Sequence, residues 1–308
     1  MTTLIATSVV RGSQQGESHG GIYLIDLDRQ RVKQTIDWNT PDIEWEGRGW
    51  DRGLRGIEFD GDQIYIAASD ELFVYNRRFD KIASYRSPYL KHCHEISRYQ
   101  RRLYLTSTGF DTILGFDLDS KQFSLGLKIS KTKDGFEATP FNPQENKGPS
   151  SGNQLHLNNI CCLEQGMYIS GLRTEGLLKY TGTRITVTAS LPRGAHNARP
   201  HRGGVLFNDS SANTLRFATP DTDRVFAVPF YDPDRLTHTD LDDTTIARQA
   251  FARGLCLIDD SVVAAGSSPS TITLHDLDSM KTTLSINLTM DIRNAIHGLE
   301  LWPYPAPD

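Results

Sequence analysis

The feature that most constrains this chain is a unit of four short alternating stretches joined by tight turns, which recurs while helical periodicity is nearly absent. Its clearest copy is "LRGIEFDGDQIYIAASDELFVYNRRFDKIASYR" (54–86). Apolar residues alternate there with polar ones in "GIEF", "IYIAA", "LFVYN" and "KIASYR", the period-2 pattern of half-buried strands, with turn residues between. The frame fits again at 94–129, 158–191, 203–230 and 253–288. The third stretch repeatedly runs into an aspartate turn, as in "LIDLD", "GFDLD" and "LHDLD".

The two chain ends complete each other. "HGLELW" (297–302) is a first strand with nothing after it, and residues 3–38 hold three strands with no first one. Joined, they make a sixth unit and remove two exposed sheet edges. The pattern predicts an all-β chain: a six-bladed β-propeller of four-stranded antiparallel blades, residues 1–308 as a single domain, closed by pairing 297–302 with 3–38.

In a propeller the first strand of each blade lines the central channel. Aligning the blades on its first apolar residue (Ile57, Ile96, Ile160, Val205, Leu255, Leu299) puts Arg55, His94, Asn158, Gly203, Arg253 and His297 two positions earlier. Four positions earlier stand Gly53, His92, His156, His201, Phe251 and Ala295. Five of the nine histidines thus fall in two registers. Equivalent positions converge on the axis, so His92, His94, His156, His201 and His297 are the candidate ligands of a transition metal. Imidazole suits zinc, iron or copper better than calcium or magnesium, which want oxygen. The plain alternative is a set of hydrogen-bonded channel-lining residues.

Arg55 and Arg253 offer planar, bidentate donors suited to a carboxylate or phosphate, or to a neighbouring carboxylate such as Glu95 or Glu300. Glu95 and Glu175 are the candidate acid–base groups, and Arg55 and Arg253 join them in the candidate catalytic set. Arg173, Trp50, Asn158 and His19 complete the substrate-binding candidates at the same mouth. His196 and His238 read as surface residues and His275 as structural. Long connections at 39–53, 131–154, 192–200 and 231–249 read as binding loops.

The blade pattern resembles that of the six-bladed superfamily of gluconolactonase-like, NHL-repeat and peptidyl-hydroxyglycine-lyase domains. The resemblance spans nearly the whole chain and implies the fold. The oxygen-rich calcium set of the gluconolactonase-like enzymes is not matched, with Asn158 and Asn159 its only echo. The lyase domains, whose zinc is held by histidines beside an arginine, imply the nearer chemistry.

Composition excludes several classes. A net charge of −5 and a pI near 6.0 give no basic field for nucleic acid or an anionic membrane. Stretches such as "LIATSVV" are too short to span a bilayer, and no signal peptide is read. Four cysteines (Cys93, Cys161, Cys162, Cys256) match no zinc or disulfide pattern, which fits a reduced, cytoplasmic protein. No P-loop, strand-borne GxGxxG or GxSxG occurs, so no nucleotide cofactor is expected. The sequence therefore predicts a metal-dependent lyase, hydrolase or isomerase of a small polar or anionic substrate. An iron or copper oxygenase on the same site is the second reading, and a non-catalytic propeller binding a protein or peptide on its loop face the third.

Overall fold

The computed structural model describes residues 2–39, 53–240 and 248–305. The chain opens with β1 (Thr3–Val10), β2 (Gly21–Asp26) and β3 (Arg31–Asp37). A second sheet follows: β4 (Ile57–Asp60), β5 (Gln63–Ala68), β6 (Glu71–Tyr75) and β7 (Lys81–Arg86). The third holds β8 (Ile96–Tyr99), β9 (Arg102–Ser107), β10 (Thr112–Asp117), β11 (Gln122–Thr132) and β12 (Gly135–Phe141). The fourth is β13 (Leu157–Leu163), β14 (Gly166–Gly171), β15 (Gly176–Tyr180) and β16 (Ile185–Ser190). The fifth is β17 (Ala195–His201), β18 (Gly204–Asp209), β19 (Thr214–Ala218) and β20 (Asp223–Ala227). The sixth is β21 (Arg253–Leu257), β22 (Val262–Ser267), β23 (Thr271–Asp276) and β24 (Lys281–Asn287). Last comes β25 (Asn294–Leu301), which returns to the first sheet in the order β25-β1-β2-β3.

The strands in every sheet run in sequence order, neighbours antiparallel, as the repeat predicts. Closure through the C-terminal strand is also as expected: β25 pairs with β1 from Leu301↔Leu4 to Asn294↔Val10. Among the described residues there is no α-helix, and no helix long and apolar enough to cross a membrane. The recurrent aspartate turns have one cause. Asp117 Oδ1 accepts the backbone N–H groups of Asp119 and Ser120, and Asp276 Oδ1 those of Asp278 and Ser279. These donors favour the charged carboxylate and hold both groups below the usual aspartate range.

Two features depart from the sequence reading. First, β11 continues to Thr132 and turns through Lys133 and Asp134 into β12, inside a stretch expected to be a loop. Gly135 takes φ +132° at that turn, and Phe136 and Ala138 pack on the core around Leu127, Ile129 and Ile160. Second, the fifth sheet begins at Ala195, not Gly203. "AHNARPH" is its first strand and "GVLFND" its second. The polar β17, with Pro200 near its end, hid from a search for alternating apolar residues.

The chain divides into two compact units, residues 56–209 and residues 1–55 with 210–308. In the first, Tyr65, Leu105, Leu114 and Phe116 form a fully buried core, with Phe116 against Tyr65, Tyr85 and Phe123. In the second, Leu4, Ile25, Ile272, Ile296 and Leu299 pack together, so the returning β25 brings its own apolar face.

Candidate functional site

The sheet registers place the candidate residues on one scale. Five residues before the pair that closes each first hairpin stand Arg55 (from Asp60↔Gln63), His94 (Tyr99↔Arg102), Asn158 (Leu163↔Gly166) and His196 (His201↔Gly204). Arg253 and His297 hold the matching places before Ile258, which bonds Val262, and Trp302, which bonds Thr3. All six are polar, and all are at most 6% exposed. Several sit at irregularities in the ladder: Asn158 is the extra residue between Leu157↔Gly171 and Asn159↔Ser170, and His297 falls between Thr7↔Gly298 and Ser8↔Ile296. Such bulges aim side chains out of a sheet's regular alternation.

Residues 56–209 hold the main histidine group. His92 and His156 both take a left-handed φ of 55°. In each case an aspartate from the preceding sheet fixes the strained turn. Asp70 accepts the His92 N–H at 3.1 Å, and Asp111 accepts those of Gln154, Leu155 and His156 at 2.6, 3.0 and 2.9 Å. The shared conformation and shared cap put His92 and His156 in one register.

His94 is positioned from several sides. Its N–H donates to Thr106 Oγ1, and its Nδ1 lies 2.8 Å from the His92 carbonyl and 2.9 Å from Thr108 Oγ1. A carbonyl only accepts, so Nδ1 carries the proton and the lone pair is on Nε2. Its ring meets that of His156 edge-on, with centroids 5.6 Å apart. His196 repeats the device, with Nδ1 2.9 Å from the Gly194 carbonyl, again two residues back. The neighbouring Asn158 donates through Nδ2 to the Ala195 carbonyl, while its buried Oδ1 has no hydrogen-bond partner.

Beside these lies a polar network. Asn208 donates to Asn197 Oδ1, and Asn197 donates to Glu95 Oε2 at 2.9 Å. Glu95 retains slight contact with solvent yet is crowded by protein on every side. Desolvation raises its carboxyl from 4.5 to about 7, against the opposing pull of Arg199 and the Asn197 hydrogen bond, with Glu58 adding a like charge. Burial raises Glu58 as well, although it accepts the Arg98 and Phe59 N–H groups.

Residues 1–55 and 210–308 hold the remaining candidates. Arg55 is fully buried, and its carbonyl accepts the Thr7 hydroxyl. Arg253 lies over the Phe251 ring at 4.3 Å and places Nη1 3.4 Å from His297 Nε2. A guanidinium only donates, so the His297 Nε2 lone pair faces that arginine. His19 is fully buried, bonded to Ser13 Oγ at 2.8 Å and packed edge-on against Trp38.

Three expectations change. His201 does not share the register of His92 and His156: it closes the β17 hairpin opposite Gly204, at the far end of the strand from His196. Five residues of strand separate the two, roughly 16 Å. The error came from taking Val205 as a first-strand residue. His196, expected at the surface, is buried and takes the position assigned to Gly203. The fifth-sheet connection at 192–200 is largely this strand. Nothing but the strand order could have revealed this, since "AHNARPH" lacks an apolar stripe. His275 is structural as expected, buried between Thr273 and Thr282 hydroxyls.

Two loop candidates have partners of their own. Arg173 donates to the Asn153 and Gln154 carbonyls, and Glu175 is exposed beside Arg193 at 3.7 Å. Trp50 lies outside the described residues. Among the described residues no group of three or more His, Cys, Asp or Glu side chains is placed to hold a metal ion. The donors that come nearest to one are the His94–His156 pair with Asn158 Oδ1 on the same strand start; two imidazoles and an amide oxygen suit a borderline transition metal.

No protein-family model matches the chain, and no curated protein matches it. Solved structures do. A chain from the crystal structure of a nidogen/laminin complex shares 11% identity over 97% of both chains, with a TM-score of 0.61. A catalytically inactive variant of virginiamycin B lyase from Staphylococcus aureus, solved with quinupristin, shares 12% identity over 87% of this chain and 78% of its own, with a TM-score of 0.49. Apo AztD from Citrobacter koseri shares 11% over 98% of both chains at 0.47. Sheet order, strand count and the first of these likenesses define the chain as a six-bladed β-propeller. At such identity the likeness extends to the fold and no further.

Proposed function

We propose that the chain is a metal-dependent enzyme whose transition-metal ion is held by His94 and His156 and which acts on a small polar or anionic substrate. The observation that supports this best is the state of His94. Its Nδ1–H is committed to the His92 carbonyl and to Thr108, which turns an unprotonated Nε2 toward whatever it binds. Metal-bound histidines are oriented by this kind of outer contact. His156 stands beside it with its main chain fixed by Asp111. Asn158 Oδ1 is the third donor, and His196, in the same register and tautomer, is the reserve ligand. His92 supplies the carbonyl that locks His94 and is thereby a positioning residue.

A bound zinc-type ion would supply Lewis acidity toward a substrate oxygen. Glu95, adjoining His94 and steadied by Asn197, is the group we assign to move a proton during turnover. The Asn208–Asn197–Glu95 chain keeps that carboxyl at a fixed place.

Cobalt(II) titration of metal-free protein tests the proposal, because tetrahedral or five-coordinate cobalt absorbs visible light. The expected result is absorption that saturates at one equivalent and is lost in His94→Ala and His156→Ala. Absence of any saturating band in the folded parent protein would overturn the proposal and favour a propeller that binds without metal.

A further inference from the structure

In residues 1–55 and 210–308, three guanidinium groups surround a single aromatic ring. Arg253, Arg248 and Arg11 lie 4.3, 4.7 and 5.3 Å from the Phe251 centroid. The ring itself is firmly mounted. The Phe251 N–H donates to Ser268 Oγ, the Ala250 N–H to the Ser268 carbonyl, and Ser210 Oγ to the Ala252 carbonyl. Arg248 is anchored too, donating to the Ser210 carbonyl and to Asn213. Arg11 follows β1, its N–H tied to the Arg293 carbonyl. Arg11, Arg248 and Phe251 retain partial solvent contact, while Arg253 is buried beneath them.

Gathering three cations within about 10 Å of one another is unfavourable unless something offsets their repulsion. One phenyl ring offers about 0.5–2 kcal/mol per cation, and its two faces cannot serve three guanidiniums equally. The nearby carboxylates Glu17 and Asp291 pair with Arg293. Guanidiniums aimed at a common point from different strands are what a multiply charged oxyanion recognises, through bidentate N–H···O contacts.

We propose that Arg11, Arg248 and Arg253 around Phe251 form a binding site for a dianionic oxyanion, the phosphate or dicarboxylate portion of a small molecule. The inference deepens the reading above by naming the substrate's charged group, and it rests on that reading in taking Arg253 to face a ligand. Arg253 also touches His297, so the anion's arrival is expected to be felt at that imidazole.

Calorimetric titration of the purified full-length chain with inorganic phosphate, and separately with oxalate, tests the site against sodium chloride of equal ionic strength. Saturable binding of one equivalent is expected, with the tighter of the two probes identifying the source chemistry. Affinity should fall at least tenfold in Arg11→Gln and in Arg253→Met. Arg11→Gln changes a partly exposed residue and guards against misfolding of the second variant, whose far-ultraviolet spectrum and Tm are recorded alongside. Binding indistinguishable from chloride in the parent protein, or undiminished in folded Arg11→Gln and Arg253→Met, would refute the site. The cobalt titration is run on the same preparations, so loss of the metal and loss of the anion are separately visible.

Discussion

Single residues carry the clearest energetic signatures. Glu95 titrates at about 7 in the fold against an ordinary 4.5, chiefly through desolvation. A raised acid pKa means the fold holds the proton more tightly than the unfolded chain. Its contribution is therefore full below pH 4.5 and is lost as pH rises to about 7. Glu95→Gln keeps the neutral form throughout. Its urea midpoint should match the parent at pH 4 and exceed it at pH 8, by up to about 3 kcal/mol. His275 has the opposite sign. Burial lowers it from 6.5 to about 4, so stability is present above pH 6.5 and is lost as pH falls toward 4. His275→Leu should flatten that acid limb in a pH series of thermal melts. Asp111, which holds three N–H groups before β13, is the third case. Asp111→Ala should cost about 2–4 kcal/mol and free the His156 backbone, seen as faster amide exchange at 154–156.

At the scale of the element, the strands differ in how plainly the sequence announced them. Those with apolar alternation, such as β5 and β10, were legible because one face of each packs on a core. β17 was not, since its side chains answer polar neighbours: Glu95 bonds Asn197, and the Ala198 carbonyl takes Asn159. β12 was missed because its stretch is rich in turn residues, although Phe136 and Ala138 do alternate. The register of the candidate site was legible in five sheets, because position relative to a hairpin turn fixes where a residue falls. In the fifth sheet the wrong strand was counted, which moved His201 into the set and His196 out of it. This yields a direct contrast: His201→Ala should leave cobalt absorption intact, while His94→Ala should abolish it. Tautomers and the Asp70 and Asp111 caps depend on contacts between sheets, which no spacing in the sequence encodes.

At the scale of the whole molecule, the chain depends on its last strand. β25 covers the edge of β1 and adds Ile296 and Leu299 to the core with Leu4 and Ile25. Ending the chain at Arg293 would strip both, leaving a paired-strand edge open to other chains. Such a truncation should run as soluble aggregate on gel filtration, where the full chain gives a discrete peak. The proposed chemistry is tested most directly by elemental analysis of the intact protein. After loading with zinc, iron(II) or copper(II) and removal of free ion, one of these metals should remain at about one equivalent per chain. His201→Ala should retain it and His94→Ala should lose it. Less than a tenth of an equivalent of every metal in a folded parent protein, unchanged by His94→Ala, would contradict a metal-dependent function.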